Sequence, residues 1–129
     1  MNQIVISGTG VFTPPNVITN DELVASFNKF VAKEHASCNP NTKLEDSSAE
    51  FIKKASGIEK RYVMDKSGIL DIGRMRPRLA RRSDDELSIQ AEMCVNAAQE
   101  ALKMAGVEGS DIDAVLVACS NHQRPYPAL

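Results

Sequence analysis

Two Cys–His pairs stand out in a chain of 129 residues. Cys119 and His122 lie three positions apart, and so do His35 and Cys38. A thiol beside an imidazole can become a thiolate nucleophile. An activated cysteine gains from a helix N-terminus, however, and no helix start follows Cys119. It reads instead as a small buried residue closing a strand. All four residues together would make a Cys2His2 set, and zinc needs such ligands in a tetrahedron. One pair falls in a loop and the other at a strand end, with no glycine-rich knuckle around either. No metal site is expected. Ser120, Asn121 and His122 lack the G-x-S-x-G frame of a serine hydrolase. Gly8-Thr9-Gly10 begins like a dinucleotide fingerprint, but the third glycine is missing and Pro14-Pro15 stands where the helix should start. The residues therefore hold no complete catalytic set.

A different kind of chemistry is suggested by Arg74, Arg76, Arg78, Arg81 and Arg82, five arginines within nine residues. Planar guanidinium forks suit phosphates or an acidic protein surface. The same pattern also fits a solvated loop held by salt bridges, or a disordered one. The density exceeds what solubility requires.

Elements must position these groups. The β-branched run in "QIVISG" (3–8) suits a strand covered on both faces. Thr19 followed by Glu22 is a capping box, and Leu23, Phe27, Phe30 and Val31 then recur at helical spacing. Residues 35–46 carry Asn39-Pro40 and no periodicity, so they read as a loop. Ser47 and Glu50 suggest a second capping box, before a short helix through Phe51, Ile52 and Ala55. Gly57 fits the left-handed position past its end. "EKRYVM" (59–64) reads as an edge or hairpin strand, and 65–82 as an irregular insertion. Ser83 and Glu86 suggest a third capping box, opening a long helix to Ala105 that stops at Gly106. Its stripe of Leu87, Ala91, Cys94, Ala98, Ala101 and Ala105 is mostly small, so a sheet or a helix can approach closely. "DAVLVAC" (113–119) reads as a second doubly covered strand. The order β, α, α, β, long α, β favours a layered α/β fold with partly parallel strands.

Composition narrows the function. Hydrophobic residues make up 43%, charged residues 25%, and the formal net charge is −2. One soluble domain's worth of chain is expected. A nucleic-acid binder would show a basic excess, and aromatic residues at 5% with no Trp argue against base stacking. No apolar run approaches the roughly 20 residues of a membrane span. The N-terminus lacks a signal-peptide pattern. Three cysteines at unrelated spacings do not form a disulfide framework. A reducing, cytoplasmic compartment is expected.

The stretches "ISGTGVFTPPNVITNDEL", "EFIKKASGIEKRYV" and "ALKMAGVEGSDIDAVLVACS" come in the order seen in β-ketoacyl-acyl-carrier-protein synthase III, and the chain resembles the N-terminal part of that family. Gly57, Ile58 and Arg61 match its "G-I-x-x-R" segment. Nearly the whole chain takes part, apart from stretches near 30–46 and 66–82, which look like insertions of a longer-looped branch. The resemblance implies a layered thiolase-like α/β fold, of which residues 1–129 are the N-terminal part of the first βαβ half.

The family's reaction is a decarboxylating Claisen condensation. A cysteine at a helix N-terminus takes an acyl group from acyl-CoA, and the carbanion of malonyl-acyl carrier protein attacks the thioester. A histidine and an asparagine help decarboxylation and bind the enolate oxygen. By the resemblance all three catalytic residues lie C-terminal to Leu129, so the 129 residues alone are expected to be inactive and to be a piece of a longer polypeptide. Cys38, Cys94, Cys119, His35 and His122 match no catalytic position. Phe51 matches the aromatic residue that stacks on the adenine of CoA, in place of the usual tryptophan. Ala55 and Ser56 stand where many members have an arginine and a threonine. Arg74 and Arg76 of the insertion are expected to supply the positive charge lost at Ala55. Tyr126 matches an aromatic residue that crosses the dimer interface to close the partner's acyl pocket, or packs the interface plainly.

The resemblance further implies a homodimer acting with acyl carrier protein and acyl-CoA, with no permanently bound cofactor. The alternative is a non-catalytic relative that keeps the fold and dimer surface without the cysteine. Alone, the stripe of the long helix is expected to be partly uncovered and prone to association.

Overall fold

The computed structural model describes residues 4–37 and 43–119. They divide into two compact units. One is Pro14–Ala80, and the other joins the residues before Pro14 to those from Arg81 onward. Among the described residues no helix is long and apolar enough to cross a membrane.

In the first unit, β1 (Asn16–Thr19) follows the Pro14-Pro15 corner, and β2 (Lys60–Val63) lies antiparallel to it. Asn16 faces Val63 and Thr19 faces Lys60. β2 is the strand expected from 59–64. β1 was not expected, because four residues between a proline corner and a helix cap carry too little alternation to read. Helix α1 (Asn20–Ala36) starts at the Thr19 cap. The Glu22 amide donates to Thr19 Oγ1 at 3.3 Å, and the Thr19 amide donates back to the Glu22 carboxylate at 3.0 Å. This is the capping box read from the sequence.

Helix α1 packs against β1, α2 (Ala49–Ser56) and α3 (Lys66–Leu70). Among the described residues Ile18 and Val31 are the fully buried apolar ones, each 1% exposed. Burying such side chains stabilises by roughly 1.5–3 kcal/mol each. Two polar residues are buried with them, and both are paired, as burial demands. Asn20 donates through Nδ2 to the Ile58 carbonyl at 2.7 Å and accepts from Arg61 Nη1 at 2.8 Å. Ser26 donates to the Leu70 carbonyl at 2.9 Å.

The cap of α2 is Ser48, not Ser47: the Phe51 amide donates to Ser48 Oγ at 3.1 Å. Ser47 is held elsewhere. Its amide donates to Asn28 Oδ1 and its carbonyl accepts from Asn28 Nδ2. A serine whose backbone is clamped by another helix cannot also turn its backbone into the cap. Gly57, at φ 71°, ends α2 as expected. The insertion at 65–82 is not wholly irregular, since it begins with α3. Asp65 caps that helix, accepting from the Ser67 and Gly68 amides.

In the second unit, α4 (Ile89–Ala105) ends at Gly106, at φ 70°, as expected. It begins six residues later than Ser83. Glu86 does accept from the Ser83 amide at 2.8 Å, but that pairing closes one isolated turn. The actual cap is Ser88, 1% exposed, which accepts from the Ala91 amide at 3.0 Å. Leu87 therefore stands outside the helix. The small stripe is met by backbone: a Cβ added at Gly10 would lie 2.0 Å from the Ala97 carbonyl, and one at Gly8 2.2 Å from the Ala101 carbonyl. A single 3-10 turn, Gly109–Asp111, follows.

The two doubly covered strands are not found. Residues 4–8 and 113–119 belong to no ladder, and Ile4, Ile6 and Leu116 are 102%, 88% and 99% exposed. A run of β-branched residues becomes a strand only when another strand satisfies its backbone. No described segment does so here. The result is a mixed helix-and-strand chain, consistent with an α/β fold; among the described residues its ladder is antiparallel, and the parallel part of the expected pairing is not found.

Candidate functional site

Phe51 stands on the first turn of α2, with its side chain on the surface at 66% exposure. It lines an open cleft of about 530 Å³ together with Phe27, Glu45, Asp46, Ser47 and Ser48. An exposed aromatic face at a helix N-terminus can stack on a flat ring. Two carboxylates, Glu45 and Asp46, also stand in the wall. They were missed in the sequence, where "KLED" reads only as loop.

Ser56, at the far end of α2, is occupied. Its hydroxyl donates to the Ile52 carbonyl at 2.7 Å and accepts from the Ile58 amide at 3.2 Å. It closes the last turn beside Gly57. The matched Gly57-Ile58-Arg61 segment has a structural account as well: glycine ends α2, the Ile58 carbonyl and the Arg61 guanidinium meet Asn20, and β2 is thereby tied to the start of α1.

The arginine-rich loop is largely held by its own surroundings. Arg74 donates through Nε to the Arg76 carbonyl at 3.1 Å and through Nη2 to the Pro77 carbonyl at 3.2 Å. Arg78 pairs with Asp71 at 2.6 Å and reaches Ser67 Oγ at 3.2 Å. Its amide donates to Asp65 at 2.5 Å. That amide, the Ser67 hydroxyl and the Gly68 amide hold the Asp65 carboxyl down, to about 2. In the other unit Arg82 pairs with Glu92 and donates to the Leu87 carbonyl at 2.8 Å. Arg76 is exposed, and its guanidinium meets no carboxylate among the described residues. So Arg78 and Arg82 are engaged in ion pairs and Arg74 in hydrogen bonds to main-chain carbonyls, and of Arg74 and Arg76 it is Arg76 whose guanidinium meets no carboxylate or carbonyl among the described residues. Asp65, the anchor of the loop, had a legible signal: Asp before Ser67-Gly68 is a helix-cap pattern.

Another ion pair joins Glu22 to Lys66. Lys66 and the Thr19 amide hold the Glu22 carboxyl below its ordinary range. This pair links the start of α1 to the start of α3.

Of the remaining chemistry-bearing residues, His35 places Nε2 at 2.9 Å from the Leu44 carbonyl, which only accepts, so that nitrogen carries the proton and donates. Cys94 is exposed on α4 and Cys119 is half-buried. Cys38, Ser120, Asn121, His122 and Tyr126 lie outside the described residues. Among the described residues no cluster of His, Cys, Asp and Glu is arranged to hold a metal ion.

No family model matches the chain. Curated proteins do. Over 110 residues, 81% of this chain and 31% of the other, it is 54% identical to a β-ketodecanoyl-[acyl-carrier-protein] synthase of Pseudomonas aeruginosa. Over 129 residues, all of this chain and 28% of the other, it is 28% identical to a β-ketoacyl-[acyl-carrier-protein] synthase III of Granulibacter bethesdensis. A synthase III of Bacillus anthracis is 29% identical over 124 residues, 96% of this chain and 28% of that protein. These β-ketoacyl-[acyl-carrier-protein] synthases are homologues of the chain, which spans under a third of their length.

Proposed function

We propose that the whole protein is an acyltransferase of the 3-oxoacyl-acyl-carrier-protein synthase III type, working in fatty-acid or related acyl-chain synthesis. It joins an acyl thioester to malonyl-acyl carrier protein by decarboxylating Claisen condensation. The observation that carries this reading is the 54% identity to a β-ketodecanoyl-acyl-carrier-protein synthase over 81% of the chain. The residues in hand then serve as scaffold in a thiolase-type layered fold, acting as a homodimer in the cytoplasm. The nucleophilic cysteine and its histidine and asparagine stand in further polypeptide. No permanently bound cofactor is required.

Within this reading, Phe51 stacks on the adenine when acyl-CoA is the donor, and Arg76 meets its phosphates. Exposure of both side chains supports these roles. Arg74 positions the Arg76 segment through the carbonyl bonds described above, and Ser56 shapes the end of α2. Tyr126 closes the acyl pocket of the partner protomer.

The test is to supply the full-length protein with acyl-CoA or acyl-acyl carrier protein and malonyl-acyl carrier protein, and to follow the 3-oxoacyl product by mass spectrometry. Release of CO2 with a chain two carbons longer is expected. Absence of product with every donor from two to sixteen carbons would refute the activity. Phe51→Ala should raise KM for acyl-CoA and leave KM for an acyl-carrier-protein donor alone.

A further inference from the structure

Between α1, α2 and α3 lies a cavity of about 270 Å³, entirely within the Pro14–Ala80 unit. Its walls are Leu23, Val24 and Phe27 from α1, Ile52 from α2, Ile69 from α3, and Met75 from the loop beyond. We propose that this cavity binds a single hydrocarbon chain of medium length, inserted past Met75 with its polar end left at the rim. The proposal does not rest on the condensing activity.

Three observations fix the chemical class of the ligand. First, the polar atoms around the cavity are mostly spoken for. The Ser26 hydroxyl is given to the Leu70 carbonyl, and both main-chain groups of Ser47 are given to Asn28. A polar ligand entering the cavity would lose its water and find little in exchange. A hydrocarbon loses nothing. Second, the volume is large enough to matter. An apolar cavity of about 150 Å³ stays dry and takes up benzene, so about 270 Å³ has room for roughly eight to ten carbons. Third, the cavity is not sealed. Met75 lines it while remaining 47% exposed, so a head group can stay in water as the tail goes in. The Ser47 hydroxyl offers one hydrogen bond near such a head.

Met75 also carries the strained backbone of the unit. Its φ is 52°, a left-handed value that glycine adopts freely and methionine does not. The strain is held by the Met75 amide donating to the Asp71 carbonyl at 2.8 Å. Strain of this kind is kept where a side chain must be aimed. Methionine is the residue best able to reshape around a flexible tail. The strained residue thus covers the cavity that most needs an adaptable cover.

The experiment is calorimetric titration of the full-length protein with primary n-alcohols from hexanol to tetradecanol, with naphthalene as a ring-shaped control. Affinity should rise about fourfold per methylene, which is about 0.8 kcal/mol, and stop rising beyond roughly ten carbons. Val24→Phe fills the cavity and should weaken decanol at least tenfold. Met75→Gly removes the cover while relieving the backbone, so the fold is kept, and it should weaken decanol severalfold. Condensation rates with short acyl donors should be unchanged in both variants. The proposal is overturned if saturable binding is absent, if naphthalene binds more tightly than decanol, or if decanol binding survives both substitutions. A protein that binds decanol in this pattern yet forms no 3-oxoacyl product would keep this site and lose the proposed activity. The converse result would do the opposite.

Discussion

Two helices of equal length, α1 and α4, meet opposite fates in this molecule. Both run seventeen residues, and both start at a hydroxyl cap. α1 buries Asn20, Ser26 and Val31, and three neighbouring elements pack on it. α4 buries none of its residues, and what reaches it closely is the backbone at Gly8 and Gly10. The difference lies in what each sequence face demands. The α1 face is made of Leu23, Phe27 and Val31, which a short strand pair and two short helices can cover. The α4 face is made of alanines, which only a closely approaching partner can cover. Caps decide where a helix begins, and the size of the side chains decides how much of the chain is needed to bury it.

The sharpest way to break this contrast is to remove one apolar side chain from each unit. Ile18→Ala should cost about 2–5 kcal/mol in urea unfolding of this chain, because the site is closed. Leu116→Ala, at a position 99% exposed, should stay within about 0.5 kcal/mol. Equal losses would show that the second unit has a core of its own. Next in size is Gly10→Ala. The new methyl would meet the Ala97 carbonyl, and overpacking of this kind costs about 1–3 kcal/mol. Gly109→Ala meets nothing and should be silent. If both were silent, backbone would not be what covers α4.

A smaller effect separates true caps from false ones. Ser48→Ala should lose about 1 kcal/mol, and Ser83→Ala less, because Ser83 closes a turn and not a helix. The smallest effect is local and depends on pH. The folded Asp65 carboxyl sits near 2, below its ordinary 3.8. Its contribution is therefore complete above about pH 4 and fades as the pH falls through 2. The Arg78 amide signal in NMR should shift over that window, and Asp65→Asn should abolish the shift. Movement of the same signal near neutral pH would assign the contact to another group.

Much of the helix placement was legible because its signals are local. Thr19 with Glu22, Gly57 past α2, and Gly106 past α4 each act within one turn, so sequence spacing states the geometry. Ser47 reads as the cap of α2 because the Asn28 clamp lies nineteen residues away, out of reach of local spacing, and Ser83 as the cap of α4 because its pairing with Glu86 has the same spacing as a true capping box. The strands misread at 4–8 and 113–119 show the opposite case. A β-branched run states a preference, and pairing is a property of some other segment. At the site, the place of Phe51 on a short helix followed from local signals. The carboxylates Glu45 and Asp46 and the internal use of Arg74 did not, since loop folding decides which charges meet.

The contact at Gly8 and Gly10 has one more consequence. At its tightest points it is glycine against a helix carbonyl, so no substitution at either glycine can lengthen or shorten it by small degrees. Any mutation there is all or nothing, and the spacing between that segment and α4 is frozen against gradual drift. Diversification toward new partners or ligands must take place in parts whose dimensions can be adjusted a methylene at a time, such as the walls contributed by Val24, Ile52 and Ile69.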